Sequence, residues 1–340
     1  MTASRLSITR RRFIWNAAAG GVVLGSATAL PSLAQTKRRL RYVSFAGKTS
    51  TWSAPYAELA KQVDQRSGGE LQIDWVGGPE VVGPMQAGDA ITKGVFDIAH
   101  SATSYYASAV PEAIAMSSGR ASQNSIYASG TFDALDQIHQ KKMNVVLLSI
   151  ASSGIGYIFM AREQPKDLAF FAGKKFRSIP LFDPILTALK AVPVTISPSE
   201  VFTALERGVV DGIGWPEVTI KEYGFQDRAK YLIRPAFYTS RTPHLINRQT
   251  FERLPAPLQT VLRESARVAG LASEKLFRDT AAAELSAMKE KGLVEVPLPA
   301  AEAANFLKLT EDTLWKQIVM VAPDTAPQLR QLFTKAEAMG

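Results

Sequence analysis

The sequence predicts an α/β protein built as two lobes, and three observations carry that expectation. Short β-rich runs alternate with helical patterns between residues 40 and 296. One helical pattern is too long for a single small domain. The chain has 340 residues and no cysteine, so it relies on a core, which a chain of this size can bury.

The candidate strands are Leu40–Phe45, Leu71–Val76, Val95–His100, Asn144–Ile150, Lys175–Ile179, Val194–Ile196, Val209–Ile213, Pro243–Asn247 and Leu293–Val296. Helical spacing separates them. Between Ser53 and Ser67, for example, Tyr56, Leu59, Ala60 and Val63 fall on one face. Such alternation implies βαβ units and largely parallel pairing. From Pro257 to Lys291, Leu258, Val261, Leu262, Ser265, Ala269, Ala272, Leu276, Ala283 and Ala287 keep a mostly three-to-four spacing, and Gly292 supplies a stop. At 1.5 Å per residue that helix is roughly 50 Å long. Its Ala-rich stripe lacks sustained heptads, which favours a helix crossing two lobes over a coiled coil.

Residues 1–34 read as an address. Thr9-Arg10-Arg11-Arg12-Phe13-Ile14 precede an uncharged stretch from Asn16 to Leu33, and Ser32-Leu33-Ala34 place small residues at the −3 and −1 positions. The arginine pair resembles a twin-arginine export signal, with cleavage near Ala34-Gln35 and delivery to the periplasm. The segment holds Arg5, Arg10, Arg11 and Arg12 and no acid, so it carries four of the chain's eight net positive charges. A net +4 remains. No basic stripe with interleaved aromatics accompanies it, so nucleic acid is not expected as a partner, and the surplus suits an anionic ligand. No later stretch is long and apolar enough to span a membrane.

Motifs for catalysis fail one by one. Gly47-Lys48-Thr49 lacks the glycine a phosphate loop needs at Tyr42, and Gly154-Ile155-Gly156 lacks the third glycine of a dinucleotide fingerprint at Phe159. His100, His139 and His244 are far apart in sequence, and none has metal-ligand spacing with another ligand type. No Gly-x-Ser-x-Gly elbow occurs. Neither an enzyme, a metal nor a cofactor is expected.

From Asp167 onward the sequence becomes specific. Asp167-Leu168 leads to Gly173-Lys174-Lys175-Phe176-Arg177 and Ala191-Val192-Pro193-Val194. Ser199-Glu200-Val201-Phe202-Thr203-Ala204-Leu205 continues to Gly208-Val209-Val210-Asp211-Gly212, and His244-Leu245-Ile246-Asn247 opens the approach to the long helix. Upstream stand Gly94-Val95-Phe96-Asp97-Ile98-Ala99, Tyr105-Tyr106 and Val110-Pro111-Glu112. This ordered series, covering essentially the chain after the signal, resembles the solute-binding proteins of tripartite ATP-independent periplasmic (TRAP) transporters. The resemblance implies an α/β, two-lobed periplasmic binding protein fold with a long helix spanning both lobes. Lobe one would comprise residues 36–157 plus 243–275, and lobe two 158–242 plus 276–340. The implied function is capture of a small organic acid in the interlobe cleft and its delivery to the TRAP membrane permease. Two alternatives are an exported α/β enzyme acting on an organic acid and a component presenting ligand to a sensor.

Within that resemblance Arg177 occupies the position whose arginine holds the ligand carboxylate. The chemistry suits it, because the guanidinium fork donates two parallel hydrogen bonds and keeps its charge. Trp215, just after Asp211-Gly212, would line the cleft floor with a flat apolar face and one N–H donor. Ser199-Glu200 look like a cap for the helix supporting that wall. Two departures bear on the ligand. Gly156 stands where dicarboxylate and sialic-acid members carry a second arginine, with Tyr157 beside it, which points to a monocarboxylate. Gly214 stands where a metal-bridging branch carries glutamate, and Glu217 is a substitute only if the loop is rearranged. Lys48, Trp52, His100 and Tyr105 are further candidates, since α/β ligands bind beyond the carboxyl ends of strands.

Overall fold

The computed structural model describes residues 37–340, and the export segment read in residues 1–34 lies outside them. Nine strands join one sheet: β1 (Arg38–Ser44), β2 (Leu71–Gly77), β3 (Ile98–His100), β4 (Val145–Ala161), β5 (Lys175–Ser178), β6 (Val192–Thr195), β7 (Gly212–Pro216), β8 (Tyr231–Asn247) and β9 (Val294–Pro297). Their order is β2-β1-β3-β8-β4-β7-β5-β6, with β9 alongside the start of β8.

Pairing is parallel where strands and helices alternate: β1 with β2 and β3, β5 with β6 and β7, and β8 with β9. The centre differs. There β8 runs antiparallel to β3 and β4, and β4 runs antiparallel to β7. The sheet is therefore mixed, not largely parallel. Both β4 and β8 have 17 residues, far beyond the runs Asn144–Ile150 and Pro243–Asn247 that the pattern marks. Ser152, Ser153, Gly154 and Gly156 carry no apolar strand signal, and Pro235 interrupts β8. Long-range pairing between the two strands overrides these local preferences.

Helices α1 (Ala54–Arg66), α2 (Ala87–Thr92), α3 (Gln123–Ala128), α4 (Thr131–Met143), α5 (Asp183–Ala188), α6 (Val201–Glu206), α7 (Ile220–Tyr223), α8 (Arg248–Glu252), α9 (Ala256–Lys289), α10 (Ala300–Val321) and α11 (Ala326–Ala338) cover the sheet. Alternate residues of β4 sort the core onto two faces. On one face, Val146 and Leu148 pack with Leu59 and Val63 of α1 and with Leu258 and Leu262 of α9. Further along that face, Ile158 and Met160 pack with Ile213, with Leu205 of α6 and with Met288 of α9. On the other face, Leu147 and Phe159 join Leu135 of α4, Ile185 of α5, Trp315 of α10 and Phe333 of α11. The 34-residue α9 thus lies along both halves of the sheet, the long helix spanning both lobes of this α/β fold. The cap expected from Ser199-Glu200 does not form, since no side chain closes the start of α6.

Helix α9 crosses β4 very closely. A Cβ on Gly270 would stand 2.4 Å from the Ile150 carbonyl oxygen, and one on Gly154 (φ +80°) 2.8 Å from the Glu274 carbonyl oxygen. Both obstacles are backbone, so neither yields by a rotamer change. In the lobe with β1–β3, a buried polar network fills the sheet. His244 Nε2 meets Tyr42 Oη at 3.1 Å and its Nδ1 meets Ser149 Oγ at 3.2 Å, while His100 Nε2 meets Thr242 Oγ1 at 2.7 Å. The His100 and His244 rings, 144 residues apart in the chain, lie 5.3 Å apart. Burial pushes His244 down to about 3, and burial together with neighbouring His244 pushes His100 well below the ordinary histidine range. His139, held by the Leu135 carbonyl and Tyr106, is lowered by burial as well.

Two outcomes follow. Gly270→Ala should lose roughly 1–3 kcal/mol of stability by overpacking α9 on β4, read as a lower denaturant midpoint; an unchanged midpoint would show that the helix stands off. The three histidines bind protons more readily unfolded than folded below pH about 6.5, so their contribution is complete above that pH and declines as pH falls. The melting temperature should drop steadily between pH 6.5 and 5, and a flat profile there would contradict neutral buried histidines.

Candidate functional site

Arg177 is the third of the four residues of β5, near that strand's carboxyl end, and pairs with Ile213 at the start of the parallel β7. It is only 3% exposed. Its Nε donates to the Ile196 carbonyl and its Nη1 to the Gly214 carbonyl, both at 3.2 Å. The guanidinium carbon lies over the Trp215 ring, 4.7 Å from its centroid. Among the described residues it has no carboxylate partner. A buried cation held only by carbonyls and an aromatic face is costly, and burial accordingly lowers its pKa to about 10. The hydroxyls of Tyr105, Tyr157 and Tyr223 oppose that fall, which places all three within electrostatic reach. Burial raises the pKa of each phenol and pushes Tyr157 up to about 12, so all three are neutral.

These tyrosines come from three parts of the chain: Tyr105 follows β3, Tyr157 lies on β4, and Tyr223 ends α7. Tyr157 packs at 5.0 Å against Phe182. Trp215, on β7, is 4% exposed; Tyr223 stands edge-on to it at 5.3 Å and Phe225 at 4.7 Å. The Trp215 indole N–H is already used, donating to Thr219 Oγ1 at 3.1 Å. Trp215 therefore supports Arg177 with its ring and leaves no donor free.

A second aromatic group adjoins through Tyr105. Phe45 lies 5.9 Å from Tyr105, 5.6 Å from Trp52 and 4.9 Å from His100. Trp52 is buried against Phe277 of α9, in a small cluster with Ala46, Ile155 and Val218. His100 is fully buried in the polar network, so it backs this wall. Lys48 is exposed and makes no hydrogen bond or ion pair among the described residues. Nearby, Glu222 accepts from Ser50 Oγ at 3.3 Å and from the Thr51 amide at 3.4 Å, bridging the turn after β1 to α7.

Glu217 is not brought to Arg177. It pairs with Arg234, which also holds Glu295, and its Oε2 accepts the Gly156 amide at 2.6 Å. Glu217 lines a separate groove of about 1210 Å³, whose charged walls (Glu274 with Arg278, Glu217 with Arg234) are paired within the protein. No group of three or more His, Asp or Glu side chains able to hold a metal occurs among the described residues. Gly156 has no space for a side chain, since an added Cβ would stand 2.5 Å from Ala236 Cβ. The sequence reading missed Tyr223 and Thr219. No motif marks either one; only the turn after β7 brings them to Trp215.

A family model for bacterial extracellular solute-binding proteins, family 7, matches residues 42–319. A TRAP periplasmic solute-binding protein from Desulfovibrio salexigens, solved with bound orotic acid, superposes with a TM-score of 0.79 at 19% identity, covering 89% of this chain and 99% of its own. Protein y4mM of Sinorhizobium fredii is 27% identical over 317 residues, 90% of this chain; the chain spans 57% of that relative's length. The monocarboxylate 2-oxoacid-binding periplasmic protein of a Nostoc species is 22% identical over 222 residues, covering 63% of this chain and 61% of its own. Matched over residues 42–319, the chain belongs to the family 7 bacterial extracellular solute-binding proteins.

Proposed function

We propose that this protein captures a small monocarboxylate in the periplasm, holds it through Arg177 and delivers it to a TRAP membrane permease. The single observation behind this reading is a buried guanidinium with no carboxylate partner among the described residues, held by two carbonyls and the Trp215 ring. A ligand carboxylate supplies the missing charge through two charge-assisted hydrogen bonds, and the phenols donate to its oxygens. A second carboxylate on the ligand finds no second cation here, because Gly156 has no space for one. The Nostoc relative is named for monocarboxylate 2-oxoacids, and orotic acid, bound by the Desulfovibrio protein, carries one carboxyl group. Both are chemically consistent with a singly charged acid.

The lobes assigned are residues 36–157 plus 243–275 and residues 158–242 plus 276–340. Arg177 belongs to the second and Tyr105 to the first, so a ligand touching both favours the closed arrangement. With Arg177 only 3% exposed, entry requires the lobes to part. Export through Arg10-Arg11 and cleavage at Ala34-Gln35 complete the assignment.

Calorimetry against pyruvate, orotate and four-carbon dicarboxylates tests the site. The monocarboxylates should bind more tightly, and Arg177→Ala should cost about 2–5 kcal/mol of affinity, because it leaves a buried carboxylate unpaired. Arg177→Lys should recover only part, since an ammonium lacks the planar fork. Equal affinity in wild type and Arg177→Ala would remove the assigned role. Export is read separately: Arg10→Lys with Arg11→Lys should abolish periplasmic accumulation, whereas undiminished export of the double variant would refute the twin-arginine route.

A further inference from the structure

Thr219 has a backbone that its side chain disfavours. It is fully buried, it follows β7 by three residues, and its φ is +66° with ψ +4°. That is the left-handed region, which β-branched residues adopt only where the surroundings enforce it. Three non-glycine residues among those described have positive φ, and the other two, Asn144 and Lys190, have unbranched Cβ atoms.

What enforces the conformation is a chain of polar contacts that ends at the ligand arginine. Glu284 of α9 accepts the Thr219 amide at 3.1 Å and the Lys221 amide at 3.5 Å. The Thr219 hydroxyl donates to the Val218 carbonyl at 2.6 Å and accepts the Trp215 indole N–H at 3.1 Å. The Trp215 ring in turn carries the Arg177 guanidinium at 4.7 Å. Thr219 also begins α7, whose last residue, Tyr223, stands against that same ring. One strained residue therefore connects the helix spanning the lobes, the indole beneath the arginine and the turn carrying a tyrosine of the site. Ordinary turn residues would fit the backbone more comfortably: glycine or asparagine tolerates this φ. Neither supplies a compact hydroxyl that both accepts from an indole and donates to the preceding carbonyl.

We propose that Thr219 is a positioning residue for carboxylate binding: its backbone amide is anchored by Glu284, and its hydroxyl fixes the Trp215 indole against Arg177. This rests on the reading of Arg177 as the ligand-holding group. It adds that the arginine is preorganised through the indole, and that recognition is coupled to α9. A buried donor such as the Trp215 N–H, once deprived of its acceptor, moves to find another, and the guanidinium loses its platform. Preorganisation lost in this way appears as weaker binding without loss of fold.

The test compares Thr219→Ser, Thr219→Val and Thr219→Gly in the exported protein. Serine keeps the hydroxyl, valine keeps the shape and the strain, and glycine relieves the strain while removing the hydroxyl. Two readouts are taken: the Trp215 indole N–H resonance, assigned with Trp215→Phe, and affinity for pyruvate and orotate by calorimetry. Serine should keep the resonance and bind within about twofold of wild type, whereas valine and glycine should shift the resonance upfield and weaken binding on the order of tenfold. Glycine should melt no lower than wild type, which separates positioning from folding and keeps the test valid if valine fails to fold. An unmoved resonance and wild-type affinity in Thr219→Gly would overturn the proposal. If the wild type takes up neither acid, or if Arg177→Ala binds normally, the reading of the site has failed; the indole resonance then decides the positioning role alone, and its survival in Thr219→Gly refutes it.

Discussion

The antiparallel pairing of β4 with β8 is the constraint on which the rest of the molecule depends. Every other strand lies at one end or the other: β3 joins β8 only at residues 244–246, and β7 joins β4 only at residues 157–161. Between those stretches the two long strands pair across register shifts around Ile150, Ser152 and Ile155, with α9 packed closely against β4. Side chains there are small and polar, and Gly154 takes a positive φ to let α9 pass.

Charge explains why the site is built as it is. A guanidinium in a dry interior is expensive unless its donors are used and a counter-charge is near. Arg241, the other deeply buried arginine, donates to the carbonyls of Met116, Ser118 and Ala121, although its buried Nε has no partner among the described residues. Arg177 spends only two donors on carbonyls. The rest of its surroundings are an indole face and neutral phenols, which soften the cost without cancelling the charge. Both arginines are depressed to about 10 by burial, but Glu337, Glu274 and Glu311 oppose the fall at Arg241, whereas neutral tyrosines do so at Arg177.

Much of this was legible in the residues, for identifiable reasons. Helix α9 announced itself by sustained three-to-four spacing, and the family by an ordered series of motifs. The lengths of β4 and β8 were hidden, because residues 151–157 and 231–242 gain their strand character from each other and not from local composition. His100 and His244 seemed unrelated at 144 residues' separation, and only the pairing of β3 with β8 makes them neighbours. Glu217 had a plausible spacing but lies beside Arg234, and that contact depends on the path of β8. Thr219 was invisible for a different reason: threonine in a turn is ordinary, and its left-handed backbone is a property of the folded chain alone.

Magnitudes show why Arg177 is not enough on its own. Shifting a two-state equilibrium from 1:99 to 99:1 takes about 5.5 kcal/mol of differential affinity. Truncating one partner of a buried charge pair costs about 2–5 kcal/mol, and an arginine present on one lobe contributes part of that even in the open state. The remainder has to come from contacts formed only on closure. Tyr105, which stands 5.9 Å from Phe45, is the candidate for them. On the proposed reading the arginine would set which charge is captured, and contacts from the aromatic group around Phe45 and Tyr105 would set whether capture closes the protein.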